Sequence, residues 1–163
     1  MRTAICPGSY DPITLGHLNI IERASQIFDR VVVCVAVNAN KTSPMFTVEE
    51  KVEMVRIAVR RLPNVSVEVN TGLLAEFARQ YEGSVLIKGL RAASDFDYEF
   101  QMDLINKRIN PALETMFLTA DQRYTFLSSS IVREMAFYGA DLGGLVPEEL
   151  IGLIEAKANM KRR

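Results

Sequence analysis

The sequence predicts an α/β fold: a doubly wound, five-stranded parallel sheet with helices on both faces. Three observations carry that expectation. Five short apolar segments alternate with segments of helical period. Most of those segments are rich in β-branched residues, as strands buried on both faces are. The 163 residues contain no internal repeat, low-complexity run or long linker. They fit one domain, residues 1–163, able to bury roughly 70% of its unfolded surface.

The elements follow in order. Thr3–Cys6 reads as the first strand, and His17–Phe28 as a helix with Ile21, Ala24 and Phe28 on one face. Val31–Val37 is the second strand. The next helix opens on Thr47-Val48-Glu49-Glu50, a Thr-x-x-Glu capping box, with Val48, Val52, Val55, Val59 and Leu62 down one side. Strands at Val65–Val69, Ser84–Lys88 and Thr115–Leu118 alternate with helices at Leu73–Tyr81 and Asp95–Asn110. In the latter helix Phe96, Phe100 and Leu104 read as packing residues. A further helix starts at Ser128-Ser129-Ser130. The last, about 147–159, has Pro147 near its first turn, followed by a frayed basic end at 160–163.

Composition narrows the function classes. Hydrophobic content of 48%, charged content of 24% and a net charge of −1 suit a soluble globular protein. Near-neutral charge opposes a dedicated nucleic-acid binder but leaves room for a small polyanion held by a local basic cluster. No apolar run approaches a membrane span, and the N-terminus enters strand and motif without a signal-peptide layout. Cys6 and Cys34 both lie in strand-like runs, and read as buried thiols in a reducing cytoplasm.

The stretch Pro7-Gly8-Ser9-Tyr10-Asp11-Pro12-Ile13-Thr14-Leu15-Gly16-His17 ends in the only histidine. It places that histidine at a helix start, where unpaired N–H groups favour an anion. Read alone, His17 could be a base, a nucleophile's partner or a metal ligand. Three more clusters follow strand C-termini: Asn38-Ala39-Asn40-Lys41-Thr42, Lys88-Gly89-Leu90-Arg91, and Tyr124-Thr125-Phe126-Leu127-Ser128-Ser129-Ser130. In a parallel sheet all four face one edge, where ligands of doubly wound folds bind. The plain alternatives are a structural histidine, a serine N-cap, solvated charges at Lys41 and Glu99, and a core Leu74.

These residues resemble phosphopantetheine adenylyltransferases, a family of the nucleotidyltransferase superfamily. Thr14-Leu15-Gly16-His17 matches the first superfamily signature and Leu127-Ser128-Ser129-Ser130 the second. Pro-Gly-Ser-Tyr-Asp-Pro, Pro44-Met45-Phe46-Thr47, Gly89-Leu90-Arg91-Ala92 and Asp95-Phe96-Asp97-Tyr98-Glu99 are more specific to the family. The resemblance implies a Rossmann-like fold and transfer of AMP from ATP to 4′-phosphopantetheine, giving dephospho-coenzyme A and pyrophosphate. It implies His17 as a transition-state stabiliser. Ser9, Tyr10, His17, Gly89, Leu90, Arg91, Glu99 and Tyr124 to Ser130 would line the ATP site. Ser9, Lys41, Leu74 and Lys88 would hold the acceptor. Mg²⁺ would be held mainly by ATP and water rather than by protein ligands. A cytoplasmic homohexamer, with coenzyme A as a candidate inhibitor and no nucleic-acid or membrane partner, completes the implied picture. Lys88 stands where the family usually has arginine, which keeps the charge but loses the two-pronged grip; Lys88→Arg should leave the acceptor KM equal or lower. The alternatives are a relative using nicotinate mononucleotide or pantoate, and a non-catalytic nucleotide-binding module.

Overall fold

The computed structural model describes residues 1–37 and 43–162, the last by its backbone alone. Lys41 and its neighbours Asn38 to Thr42 lie outside the described residues. Five parallel strands, β1 (Thr3–Gly8), β2 (Arg30–Ala36), β3 (Val65–Asn70), β4 (Val85–Leu90) and β5 (Glu114–Thr119), form one sheet in the order β3-β2-β1-β4-β5. The strand order reverses between β1 and β4, so the crevice at their C-terminal ends is the ligand position of a doubly wound sheet.

Alternation along each strand builds a core on each face. Ala4, Cys6, Val31, Val33, Val35 and Ile87 point to one side. There they meet α1 (Leu15–Ile27), α2 (Val48–Val59), α5 (Ser129–Phe137) and α6 (Ile151–Arg162) through Ile21, Val55, Val132 and Ile154. Ile5, Val32, Cys34 and Leu86 point to the other, against Ala75, Phe77 and Ala78 of α3 (Leu74–Ala78) and Ile109 of α4 (Ala93–Ile109). β1 pairs with β2 from Thr3↔Arg30 to Gly8↔Val35, which brings the first loop out at the sheet edge beside β4.

Several boundaries differ from the sequence reading. β1 runs to Gly8 and β4 to Leu90, so Gly89 and Leu90 extend a strand that the sequence reading ends at Lys88. Pairing of Gly89 with Leu118 and of Leu90 with Thr119 extends the ladder that far. α3 is only five residues long. α6 continues to Arg162 where a frayed end was expected: Lys157 donates to both Glu50 oxygens at 2.7 and 2.8 Å, and Lys161 to the Pro44 carbonyl at 2.9 Å. Phe96, Phe100 and Leu104 are 43%, 47% and 53% exposed, so they leave α4 with an uncovered apolar face instead of packing into the core.

Candidate active site

The first loop is held in a single shape by its own side chains. Tyr10 has a positive φ of 45°, a left-handed conformation that costs a non-glycine residue energy. Its hydroxyl donates to the Cys6 carbonyl at 2.9 Å, and its ring packs edge-on against His17 at 5.2 Å. A side chain on Gly8 would meet the Tyr10 ring at 2.9 Å, so only glycine lets the ring fold back here.

Asp11, 2% exposed, ties this loop to its surroundings. Its carboxylate accepts the backbone N–H groups of Met45 and Phe46 at 3.0 and 2.9 Å. Lys51, itself 6% exposed, lies 4.0 Å away, and Arg133 lies 3.8 Å away. Arg133 also donates to the Asp11 carbonyl at 2.6 Å, while Ser129 Oγ donates to the Pro12 carbonyl at 2.8 Å. The first loop, the start of α2 and the start of α5 are thereby knotted together.

The N-terminus of α1 fixes the histidine. Thr14 is the N-cap, and His17 is the third helical residue of a reciprocal capping arrangement. The His17 backbone N–H donates to Thr14 Oγ1 at 3.3 Å, and the Thr14 backbone N–H donates to His17 Nδ1 at 3.1 Å. Nδ1 must therefore be the unprotonated nitrogen, which leaves Nε2 to carry the proton. Burial first, and then the positive charge of Arg91, lower the His17 pKa from 6.5 to about 4. At neutral pH it is an uncharged donor, not an imidazolium.

Beneath the loop, burial pushes the Cys6 thiol up to about 12. It stays protonated at neutral pH and is no nucleophile.

His17 lines a cleft of about 730 Å³ at the C-terminal ends of β1 and β4. Ser9, Tyr10, Leu74, Lys88, Gly89, Arg91, Glu99, Tyr124, Leu127, Ser128 and Ser129 line it too. Leu90, Thr125, Phe126 and Ser130 do not. The Leu90 carbonyl is taken by the Ala120 N–H in the extended ladder. Thr125 Oγ1 donates to the Gln122 carbonyl at 3.1 Å, and Phe126 is 58% exposed. Ser130 Oγ accepts from Arg133 at 3.1 Å.

Two cations in the cleft carry internal partners on α4. Lys88 forms an ion pair with Glu99. Arg91 pairs with Asp95 at 3.2 Å and donates to the Leu127 carbonyl at 2.8 Å, tying the end of β4 to the segment that leads into α5. The sequence reading missed Asp11, Arg133 and Asp95. Asp95 carried a usable signal, a carboxylate four residues after an arginine at a helix start. The N-termini of α1 and α5 both open on the cleft, through Gly16 and His17 and through Ser128 and Ser129. The positive ends of these two helix dipoles add positive potential there. The whole arrangement can hold and align phosphates. Among the described residues no three His, Cys, Asp or Glu side chains gather as a metal-ligand set.

Known proteins resemble this chain over most of its length. The cytidylyltransferase-like family profile matches residues 5–135. The phosphopantetheine adenylyltransferase of Clostridium tetani (strain Massachusetts / E88) is 48% identical over 161 residues, 99% of this chain and 100% of the relative. That of Symbiobacterium thermophilum is 54% identical over 147 residues, 90% of each chain. A solved structure of a candidate nicotinate-nucleotide adenylyltransferase from Vibrio parahaemolyticus superposes with a TM-score of 0.73 at 18% identity. It covers 99% of this chain and 96% of its own, a likeness of fold alone.

Proposed function

The chain belongs to the phosphopantetheine adenylyltransferases and transfers the adenylyl group of ATP to 4′-phosphopantetheine, and we propose that His17 assists that transfer as a neutral Nε2–H donor to the α-phosphate. A phosphate oxygen of the acceptor bonds to the α-phosphorus, and the bond from that phosphorus to the oxygen bridging the β-phosphorus breaks. Dephospho-coenzyme A forms and pyrophosphate leaves. The nucleophile is anionic already, so no base is needed. The step needs two polyanions aligned and the charge around the α-phosphorus met by fixed donors.

The single observation that carries the reading is the convergence of two helix N-termini, Lys88 and Arg91 on one cleft beside His17. In this reading Ser9, Tyr10, Gly89, Arg91, Tyr124, Leu127, Ser128 and Ser129 receive ATP. Lys88 and Leu74, with Lys41, receive the acceptor. Leu90 and Ser130 act through the backbone and through Arg133 rather than by lining the cleft. Mg²⁺ would be held mainly by ATP and water, and would supply positive charge against the phosphates.

Assembly as a homohexamer belongs to the same proposal, and the exposed apolar residues Phe96, Phe100, Leu104, Ile105 and Met116 support self-association. A cytoplasmic location and inhibition by coenzyme A are its further parts. Among the described residues, no helix is long and apolar enough to cross a membrane.

Pyrophosphate release with Mg-ATP, measured in turn with 4′-phosphopantetheine, nicotinate mononucleotide and pantoate, tests the substrate. Turnover with the first alone is expected. Turnover only with either of the others would contradict the assignment, and ATP binding without pyrophosphate release would indicate a non-catalytic module.

A further inference from the structure

The cation assigned to the acceptor's phosphate is not waiting for it. Lys88, at the end of β4, has its ammonium on the Glu99 carboxylate, and both side chains are largely shielded, at 13% and 25% exposure. Glu99 stands one turn beyond Asp95 on α4, and Asp95 holds Arg91 in the same way. Asp95 leaves Arg91 with donors to spare, because a guanidinium has five and its Nη1 already reaches the Leu127 carbonyl as well. Lysine presents one compact charge, so a phosphate reaching Lys88 must take the place of Glu99 or share the ammonium with it.

We propose that Glu99 is an exchange partner of Lys88: the acceptor's phosphate displaces it on binding, and it returns after transfer. This rests on the reading that Lys88 receives that phosphate. The charge balance of the reaction gives the exchange a direction. A phosphate monoester carries close to two negative charges at neutral pH. After its oxygen has bonded to the α-phosphorus, the same phosphorus sits in a diphosphate bridge with one ionised oxygen. The group facing Lys88 therefore loses about half its charge at the moment of transfer, while the charge of Glu99 is constant. Glu99 competes poorly against the substrate and well against the product, which favours product release. Both partners lie on rigid elements, a strand end and a helix, so the exchange needs only side-chain rotation.

Removing the competitor has a sign opposite to that of removing a ligand contact. Binding of 4′-phosphopantetheine by calorimetry, on wild type, Glu99→Gln and Lys88→Ala, separates the possibilities. Melting temperatures are measured alongside to confirm that all three are folded. The exchange predicts that Glu99→Gln lowers the Kd by roughly three- to tenfold, the range of a partly shielded ion pair. Release of dephospho-coenzyme A from that variant should slow in stopped-flow. Lys88→Ala should raise the Kd at least tenfold. An unchanged or raised Kd in Glu99→Gln with a raised Kd in Lys88→Ala would overturn the exchange while leaving Lys88 as the phosphate ligand. An unchanged Kd in both would overturn the placement of the acceptor phosphate itself. A Glu99→Gln variant altered only in its KM for ATP would make Glu99 a nucleotide contact and refute the exchange.

Discussion

The backbone N–H of Thr14 donates to Nδ1 of His17 at 3.1 Å, and this one contact decides which proton the histidine can offer. With Nδ1 occupied as an acceptor, the Nε2–H is the ring's donor. The same helix start that creates the anion site thus also sets the tautomer of its principal side chain.

That relationship has a pH signature. The folded His17 has a pKa of about 4 against 6.5 for an ordinary histidine. As pH falls through the window from 6.5 to 4, the unfolded chain takes up a proton that the folded chain refuses. Stability is lost over that window and unaffected by His17 above it. The urea midpoint of the wild type should fall more steeply between pH 7 and 4.5 than that of His17→Gln. Parallel slopes would mean that the folded histidine titrates normally.

Asp11→Ala leaves the Met45 and Phe46 N–H groups without their acceptor and strands Lys51 in the interior. Breaking one side of a buried ion pair costs about 3–5 kcal/mol. Urea denaturation should register a loss of that order. A loss below about 1 kcal/mol, the scale of an exposed pair, would show that the carboxylate does not compensate Lys51.

Gly89→Ala places a methyl 2.9 Å from Cγ1 of Ile20 and 3.2 Å from its Cδ1. Ile20 is β-branched and 9% exposed, so it yields poorly. Overpacking of this kind costs about 1–3 kcal/mol, and because Ile20 lies one turn beyond His17 on α1, the helix start should shift with it. A lowered melting temperature together with a lower kcat is expected. An unchanged kcat would show that α1 absorbs the methyl without moving His17.

The sheet was legible because burying a parallel sheet on both faces forces runs such as Val31 to Val35, which no exposed element needs. The cleft edge was legible for a related reason: parallel strands put the loop of His17, the end of β4 and the start of α5 on one side. What stayed hidden depends on distance along the chain. Asp11 reads as a turn residue, and nothing local shows that Arg133, 122 residues away, will find its carbonyl. Glu99 is placed in the ATP site by the resemblance, but nothing local shows its ion pair with Lys88, which β4 brings beside it. The helical spacing of Phe96, Phe100 and Leu104 indicates an apolar face but not what covers it, and this chain alone leaves it open.

The central claim is that a neutral His17 donor carries much of the stabilisation of the transferring phosphorus. The most direct measurement is kcat for pyrophosphate release by His17→Ala, with ATP and 4′-phosphopantetheine saturating and the fold verified by its melting temperature. Removing one such donor costs roughly 10²–10³-fold, and a loss of that size with both KM values little changed is predicted. A folded variant that keeps kcat within about tenfold of wild type, well short of that loss, would contradict the account.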